Sequence, residues 1–183
     1  MLILASSSPR RRELLTEAGI AFTVESIPID ESHRPVESPT AFTQRLAREK
    51  AEAVFAHHPQ ATVLGADTIV VCDAEILGKP VDAQDATRML RLLSNREHQV
   101  ITGVAIITQQ GTRTQADTTT VTMRKISEEE IQSYIATGEP MDKAGAYAIQ
   151  GGAAPFITSI EGDYTNVVGL PIALVKQMLS IVK

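Results

Sequence analysis

"LILASSSPRRRELLTEAGI", residues Leu2 to Ile20, passes from a short apolar run through three serines into a helix-forming segment. Leu2 to Ala5 reads as a short buried strand. Ser8 then stands as an N-cap with Pro9 as first helical residue, and Gly19 stops the helix after about Ala18. Strand, small-residue turn, helix is how an α/β domain opens. The first helical turn carries Arg10, Arg11 and Arg12. Cations at the positive end of a helix macrodipole cost roughly 0.3–1 kcal/mol each, so the run asks for an explanation. Ser6 to Arg12 reads in two ways. It is either an anion site built on a helix N-terminus or a solvated basic turn. It is not a Walker loop, since the Gly-x-x-x-x-Gly-Lys pattern is absent.

Outward from that stretch the strand–helix alternation continues. "AFTVESIPI" (21–29) predicts a second strand, followed by the acidic pair Asp30–Glu31. Thr40 to His57 predicts a helix whose apolar stripe is Phe42, Leu46, Ala53 and Val54, with Arg45, Arg48 and Glu52 on the opposite side. Lys50 falls on the apolar stripe, an unusual place for a lysine. "TVLGADTIVVC" (62–72) reads as two apolar runs broken at Gly65–Ala66–Asp67–Thr68, and "LGKP" (77–80) as a turn. Asp82 caps a helix through about Leu93, with Met89, Leu90 and Leu93 inward. Residues 98–108 and 114–125 predict an antiparallel pair joined around Gln110–Gly111. Ser127 and Glu130 form a capping box for a helix that Gly138 ends. A glycine-punctuated loop with a short strand follows, and a last helix starts at Pro171 with Leu174, Met178 and Val182 along one face. There is no internal repeat, and the alternation predicts the α/β class.

Composition bounds the function. With 183 residues the chain fits one domain, or two lobes sharing a core, and 43% hydrophobic content is ordinary for a globular protein. The net charge of -5 argues against a nucleic-acid backbone as main partner, and the lack of Trp argues against base-stacking platforms. No stretch approaches the roughly 20 apolar residues that span a bilayer, and the N-terminus lacks the order of a secretory signal. The single cysteine, Cys72, allows no internal disulfide, which fits a reducing cytoplasm.

Besides Ser6 to Arg12, three places carry candidate chemistry. Asp67, between two apolar runs, is either a turn or backbone cap, or a metal ligand or general base at a strand end. Lys50 and Lys79 either snorkel to water or serve an anion. Asp30–Glu31 is either a solvated acidic turn or a second carboxylate site. Two carboxylate sites and several cations at strand ends are together the parts list for handling a polyphosphate with a divalent metal.

"LASSSPRRRELL", the pair at 30–31, "RLAREKA", "LGADTIV", "GKP", "DKAGAYAIQG" and "VVGLP", in this order along nearly the whole chain, resemble the Maf family of nucleotide pyrophosphatases. The resemblance implies one Maf-like domain over 1–183, two lobes around a central cleft. It implies an elongated, twisted mixed sheet flanked by helices, similar to the inosine triphosphate pyrophosphatases. It implies hydrolysis of a nucleoside triphosphate to monophosphate and pyrophosphate with a divalent cation, Mg²⁺ or Mn²⁺, as house-cleaning of the nucleotide pool with a link to cell division arrest. A cytoplasmic homodimer is implied, with a small nucleotide as ligand and neither nucleic acid nor membrane as partner. By position, Asp67 matches the catalytic aspartate. Ser6, Arg11, Lys50 and Lys79 match the phosphate-binding set, and Glu31 joins Asp67 at the metal. Arg10, Thr68 and Gln150 match the positions that set base preference in the branch acting on dTTP and UTP; the sister branch acting on 7-methyl-GTP resembles "SPWRR" and "GSDQV" instead. Arg12 departs from the pattern. A nucleotide-sensing regulator of cell division with little turnover is the alternative.

Overall fold

The computed structural model describes residues 1–181. Seven strands, β1 (Leu2–Leu4), β2 (Thr23–Val24), β3 (Thr62–Cys72), β4 (Glu75–Leu77), β5 (Glu97–Thr108), β6 (Gly111–Met123) and β7 (Ile157–Glu161), form one sheet. Its order is β2-β1-β3-β5-β6-β7, with β4 paired to β3. The β1–β2 and β1–β3 pairs are parallel, while β3–β4 and β6–β7 are antiparallel, so the sheet is mixed. Six α-helices accompany it: α1 (Pro9–Glu17), α2 (Pro39–Phe55), α3 (Ala83–Leu93), α4 (Glu128–Ala136), α5 (Tyr164–Val168) and α6 (Ile172–Ile181). The α/β class expected from the sequence is the one found. No helix among the described residues is long and apolar enough to cross a membrane.

The chain divides into two compact units. The first comprises Met1–Thr68, Thr102–Asp117 and the segment from Gly169 onward. Its core joins Ile3, Ala5, Val63, Ala105 and Ile107 of the strands to Ala47, Ala51 and Val54 of α2. Fully burying aliphatic side chains such as Leu46 and Val54 stabilises by roughly 1.5–3 kcal/mol each, which is what docks α2 on the sheet. The second unit, Ile69–Ile101 with Thr118–Val168, packs α3 against α4.

Local signals set most boundaries. Asp82 accepts from the Asp85 N–H at the start of α3, and Ser127 with Glu130 forms the complete capping box of α4. Gly19 and Gly138 take positive φ just past helix ends, where a side chain would be strained. Ser8 is the N-cap of α1 but makes no side-chain cap bond; its own N–H donates to Ser6 Oγ instead.

Several expectations are corrected. The second strand shrinks to Thr23–Val24, both exposed, at the edge of the sheet, and Ile27 packs on the core from irregular chain before Pro28. β3 is unbroken through Asp67: β1 pairs its first residues, Thr62–Leu64, β4 pairs its last, Val70–Cys72, and β5 runs along its other edge. Asp73 and Ala74, both at positive φ, turn β3 into β4 without a glycine to announce the hairpin. On α2, Ala47 and Ala51 are fully buried while Ala53 is half-buried, and Arg45 is inside rather than on the solvent face. On α6, Val175 and Met178 face inward and Leu174 is half-buried; Val182 lies outside the described residues. The short helix α5 was not foreseen.

Candidate active site

The site begins with two glycines. A Cβ at Gly65 of β3 would stand 2.1 Å from the Ala47 carbonyl oxygen, and one at Gly103 of β5 would stand 2.4 Å from that of Thr43. The backbone of α2 therefore lies directly on the sheet, at positions one helical turn apart. Gly65 and Asp67 share a face of β3, since side chains alternate along a strand. With Ala47 and Ala51 seated over Gly65, Lys50, between them on the helix, reaches the aspartate.

Lys50 Nζ donates to Asp67 Oδ1 at 2.7 Å and lies 2.9 Å from Glu31 Oε1. One ammonium thus joins two carboxylates. Asp67 and Lys50 are largely enclosed, with side chains 11% and 16% exposed, while Glu31 is open at 59%. Glu31 closes the cluster from irregular chain after β2.

Thr68 faces the other side of β3, and there it meets Arg11 of α1. The guanidinium is held at each of its nitrogens. Nε donates to the Gly169 carbonyl at 2.8 Å, Nη1 to Ser6 Oγ at 3.2 Å and Nη2 to Thr68 Oγ1 at 3.0 Å. Thr68 Oγ1 is itself 2.9 Å from Thr102 Oγ1 on β5 and 3.3 Å from the Gly169 carbonyl. Burial lowers the Arg11 pKa from its ordinary value; the Asp67 and Glu31 charges oppose that shift, and Arg10 adds to it. Arg11 thus stands in the field of the same two carboxylates that Lys50 joins. All three acceptors are neutral, so the charge of Arg11 is oriented and not cancelled by a direct ion pair.

Of the residues singled out in the sequence, Glu31, Lys50 and Asp67 are brought together on one face of β3 and Ser6, Arg11 and Thr68 on the other. The two groups are coupled through the field of the carboxylates at Arg11, to which Arg10, half-buried, adds its charge. Lys79 and Gln150 belong to the second unit, both exposed. The Lys79 turn is tied to the later loop, whose Gly145 N–H donates to the Gly78 carbonyl. The Gln150 loop is fixed on both sides: the Ala148 N–H donates to the Tyr134 hydroxyl, and the Gly152 N–H to Glu139 Oε2. Tyr147, in the same loop, bonds His98 Nε2 at 2.7 Å. Thr102 and the Gly169 carbonyl were not foreseen. The Gly169 bond is a backbone one that no side-chain pattern announces.

The carboxylates of Glu31 and Asp67 converge within reach of a single ammonium. That geometry suits a hard divalent cation, which takes one or two carboxylates and completes its shell with phosphate oxygens and water. No cluster of three or more His, Cys, Asp or Glu side chains that could hold a metal occurs among the described residues, so this acidic pair is the donor set to consider.

A family model described as Maf-like protein matches residues 1–182. A dTTP/UTP pyrophosphatase of Koribacter versatilis is 55% identical over 97% of this chain and 92% of its own length. One from Symbiobacterium thermophilum is 54% identical over 98% of this chain and 92% of its own length. Among solved structures, the Ham1 protein of Staphylococcus aureus aligns over 100% of this chain and 99% of its own, at 13% identity with a TM-score of 0.56. That likeness concerns the fold alone.

Proposed function

Because the chain belongs to the Maf family, we propose that it is a nucleoside triphosphate pyrophosphatase acting on dTTP and UTP, and that Asp67 is its general base. Water attacks the α-phosphorus, its proton passes to Asp67, and the bond from the α-phosphorus to the bridging oxygen breaks. Nucleoside monophosphate and pyrophosphate leave. The observation that carries the reading is Lys50 joined to Asp67 and Glu31 beside an Arg11 whose three nitrogens are fixed by neutral acceptors.

Each side chain then has a task. Lys50 engages Asp67 Oδ1 and orients the carboxylate, leaving Oδ2 to take the proton. Arg11, Lys50 and Lys79 offset negative charge on the phosphates, and Ser6 aims Arg11. A fixed cation facing charge that grows in the transition state costs no reorganisation when the bond breaks. The first turn of α1 holds no acidic residue, so its open N–H groups add to the same field. A divalent cation, Mg²⁺ or Mn²⁺, held by Glu31 and Asp67, would supply further charge neutralisation on the phosphate oxygens. The opening arginines tolerate one another because the substrate's phosphates belong among them.

Arg10, Thr68 and Gln150 are assigned to base choice. Gln150 offers both a donor and an acceptor to a pyrimidine edge. The protein is expected to work in the cytoplasm as a homodimer without nucleic acid or membrane partners; sedimentation velocity tests the assembly.

The test is pyrophosphate release from dTTP, UTP, CTP and 7-methyl-GTP, each with and without Mn²⁺, for the protein and for Gln150→Glu. Turnover of dTTP and UTP above the others, blunted in the variant, supports the reading. Nucleotide binding without pyrophosphate release would instead favour a sensing regulator of cell division.

A further inference from the structure

Arg45 sits on the face of α2 that the hydrophobic pattern assigns to solvent, yet it is only 6% exposed. Its Nε donates to Glu37 Oε1 at 2.7 Å and its Nη2 to Glu37 Oε2 at 2.9 Å, a bidentate fork. Its Nη1 donates to Glu49 Oε2 at 3.1 Å, and Nη2 also to the Ser32 carbonyl at 3.0 Å. The guanidinium stands 5.4 Å from the centre of the Phe42 ring, and His33 meets the same ring edge-on at 5.1 Å.

The partners of this arginine fall into two groups. Phe42 and Glu49 are on α2 itself. Ser32 and Glu37 are on the irregular segment that leads from β2 to α2, which has no helix or strand of its own. Arg34 adds a second tie from this segment, with Nη2 donating to Glu49 Oε1 at 2.9 Å, but its side chain is 61% exposed. Within the segment the Ser32 N–H donates to Asp30 Oδ1 at 2.9 Å, a bond that spans Glu31. The carbonyl that Arg45 holds belongs to the residue next to Glu31. The docking of α2 itself rests on the buried Leu46, Ala47, Ala51 and Val54, whose apolar side chains take no part in these hydrogen bonds.

We propose that Arg45 is a positioning residue that fastens the 30–37 segment to α2 and thereby sets Glu31 beside Lys50 and Asp67. Side chains just behind a set of ligands fix where those ligands stand, and their loss commonly costs 10- to 100-fold in metal affinity or activity. Hydrogen bonding from Arg45 holds the Glu37 carboxyl at about 2, so the clamp stays ionised at any pH where the reaction would run. A lysine at 45 would keep the charge and lose the fork.

The inference rests on the proposed role of Glu31, and the experiment separates the two. The variants are Arg45→Lys, Glu37→Gln, Glu31→Gln and the pairs of each clamp variant with Glu31→Gln. Two quantities are read: the Mn²⁺ concentration giving half-maximal pyrophosphate release from dTTP, and Mn²⁺ binding in the presence of α,β-methylene-dTTP, followed by the electron paramagnetic resonance of the free ion. Arg45→Lys and Glu37→Gln are expected to weaken both by roughly 10-fold. On the Glu31→Gln background the same changes should shift either by less than about twofold, because the element they position has gone. Full additivity on that background, or unchanged Mn²⁺ binding in both clamp variants beside weakened binding in Glu31→Gln, overturns the role of Arg45 alone. Unchanged behaviour of Glu31→Gln overturns the reading of Glu31 and this inference with it. Glu37→Gln leaves the bonds from Arg45 to Glu49 and Ser32 in place, so it serves should Arg45→Lys fail to fold.

Discussion

Lys50 donates to Asp67 at 2.7 Å from a helix whose backbone rests on Gly65, two residues before that aspartate. The pair is thus fixed by main-chain contact as well as by charge. Asp67→Asn preserves shape and keeps an oxygen for Lys50 to donate to, but removes the proposed base. Turnover of dTTP is expected to fall by roughly 10²–10⁴ with the thermal midpoint little changed. Single-turnover pyrophosphate release checks this, and near-normal rates would remove Asp67 from the chemistry.

Arg11 separates the value of charge from the value of aim. Arg11→Lys retains a cation but cannot reach the Gly169 carbonyl, Ser6 and Thr68 together as the fork does. Losing about one charge-assisted hydrogen bond, ~1.5–3 kcal/mol, corresponds to a 10- to 100-fold fall in kcat/KM for dTTP. An equal kcat/KM for the lysine variant would mean that a point charge suffices and that the three bonds serve the fold only.

Elements with a local cause were legible in the sequence, and contacts with a tertiary cause were not. Asp82, the Ser127–Glu130 box and Gly138 act within a few residues of themselves, so α3 and α4 could be bounded by reading alone. Arg45 could not be placed this way, because its burial is decided by Glu37 and Ser32, on chain that has no periodicity. Lys50 was conspicuous as a cation on an apolar stripe, and Asp67 as a carboxylate between apolar runs, but that the two meet across 17 residues of sequence is a tertiary fact that neither pattern announces. Gly65 and Gly103 carried a signal that periodicity does not weigh, namely the missing Cβ that lets α2 approach.

Gly65→Ala tests that approach. Its Cβ would stand 2.1 Å from a backbone oxygen of Ala47 and 3.0 Å from the Ala51 Cβ, and backbone cannot swing aside as a flexible side chain can. Overpacking of this kind destabilises by roughly 1–3 kcal/mol, and relief requires α2 to lift from β3. Activity is expected to drop beyond what the folded fraction explains, since lifting α2 carries Lys50 away from Asp67. Urea titration beside kcat at full folding separates the two effects, and unaltered kcat in the folded fraction would show that the helix stays in place.

The second unit holds a proton-linked element of its own. His98 is 3% exposed, bonds the Tyr147 hydroxyl at 2.7 Å through Nε2, and has no hydrogen-bond partner for Nδ1 among the described residues. Burial depresses its pKa from 6.5 to about 4, and burial also pushes the Tyr147 phenol up, so both groups are neutral in the folded state near pH 7. In the unfolded chain His98 takes up a proton below about 6.5, whereas the folded protein refuses it until about 4. The unfolded state therefore binds more protons across that window. Stability is complete above pH 6.5 and is lost as pH falls toward 4, by roughly 2–3 kcal/mol between pH 7 and pH 4.5 from this one residue. Replacing both partners, His98→Phe with Tyr147→Phe, keeps the edge-to-face ring contact seen at 5.4 Å and removes the titration. Urea unfolding at pH 7 and pH 4.5 should then show a smaller acid loss in the double variant. An identical loss in the two proteins would mean that other groups govern the acid limb.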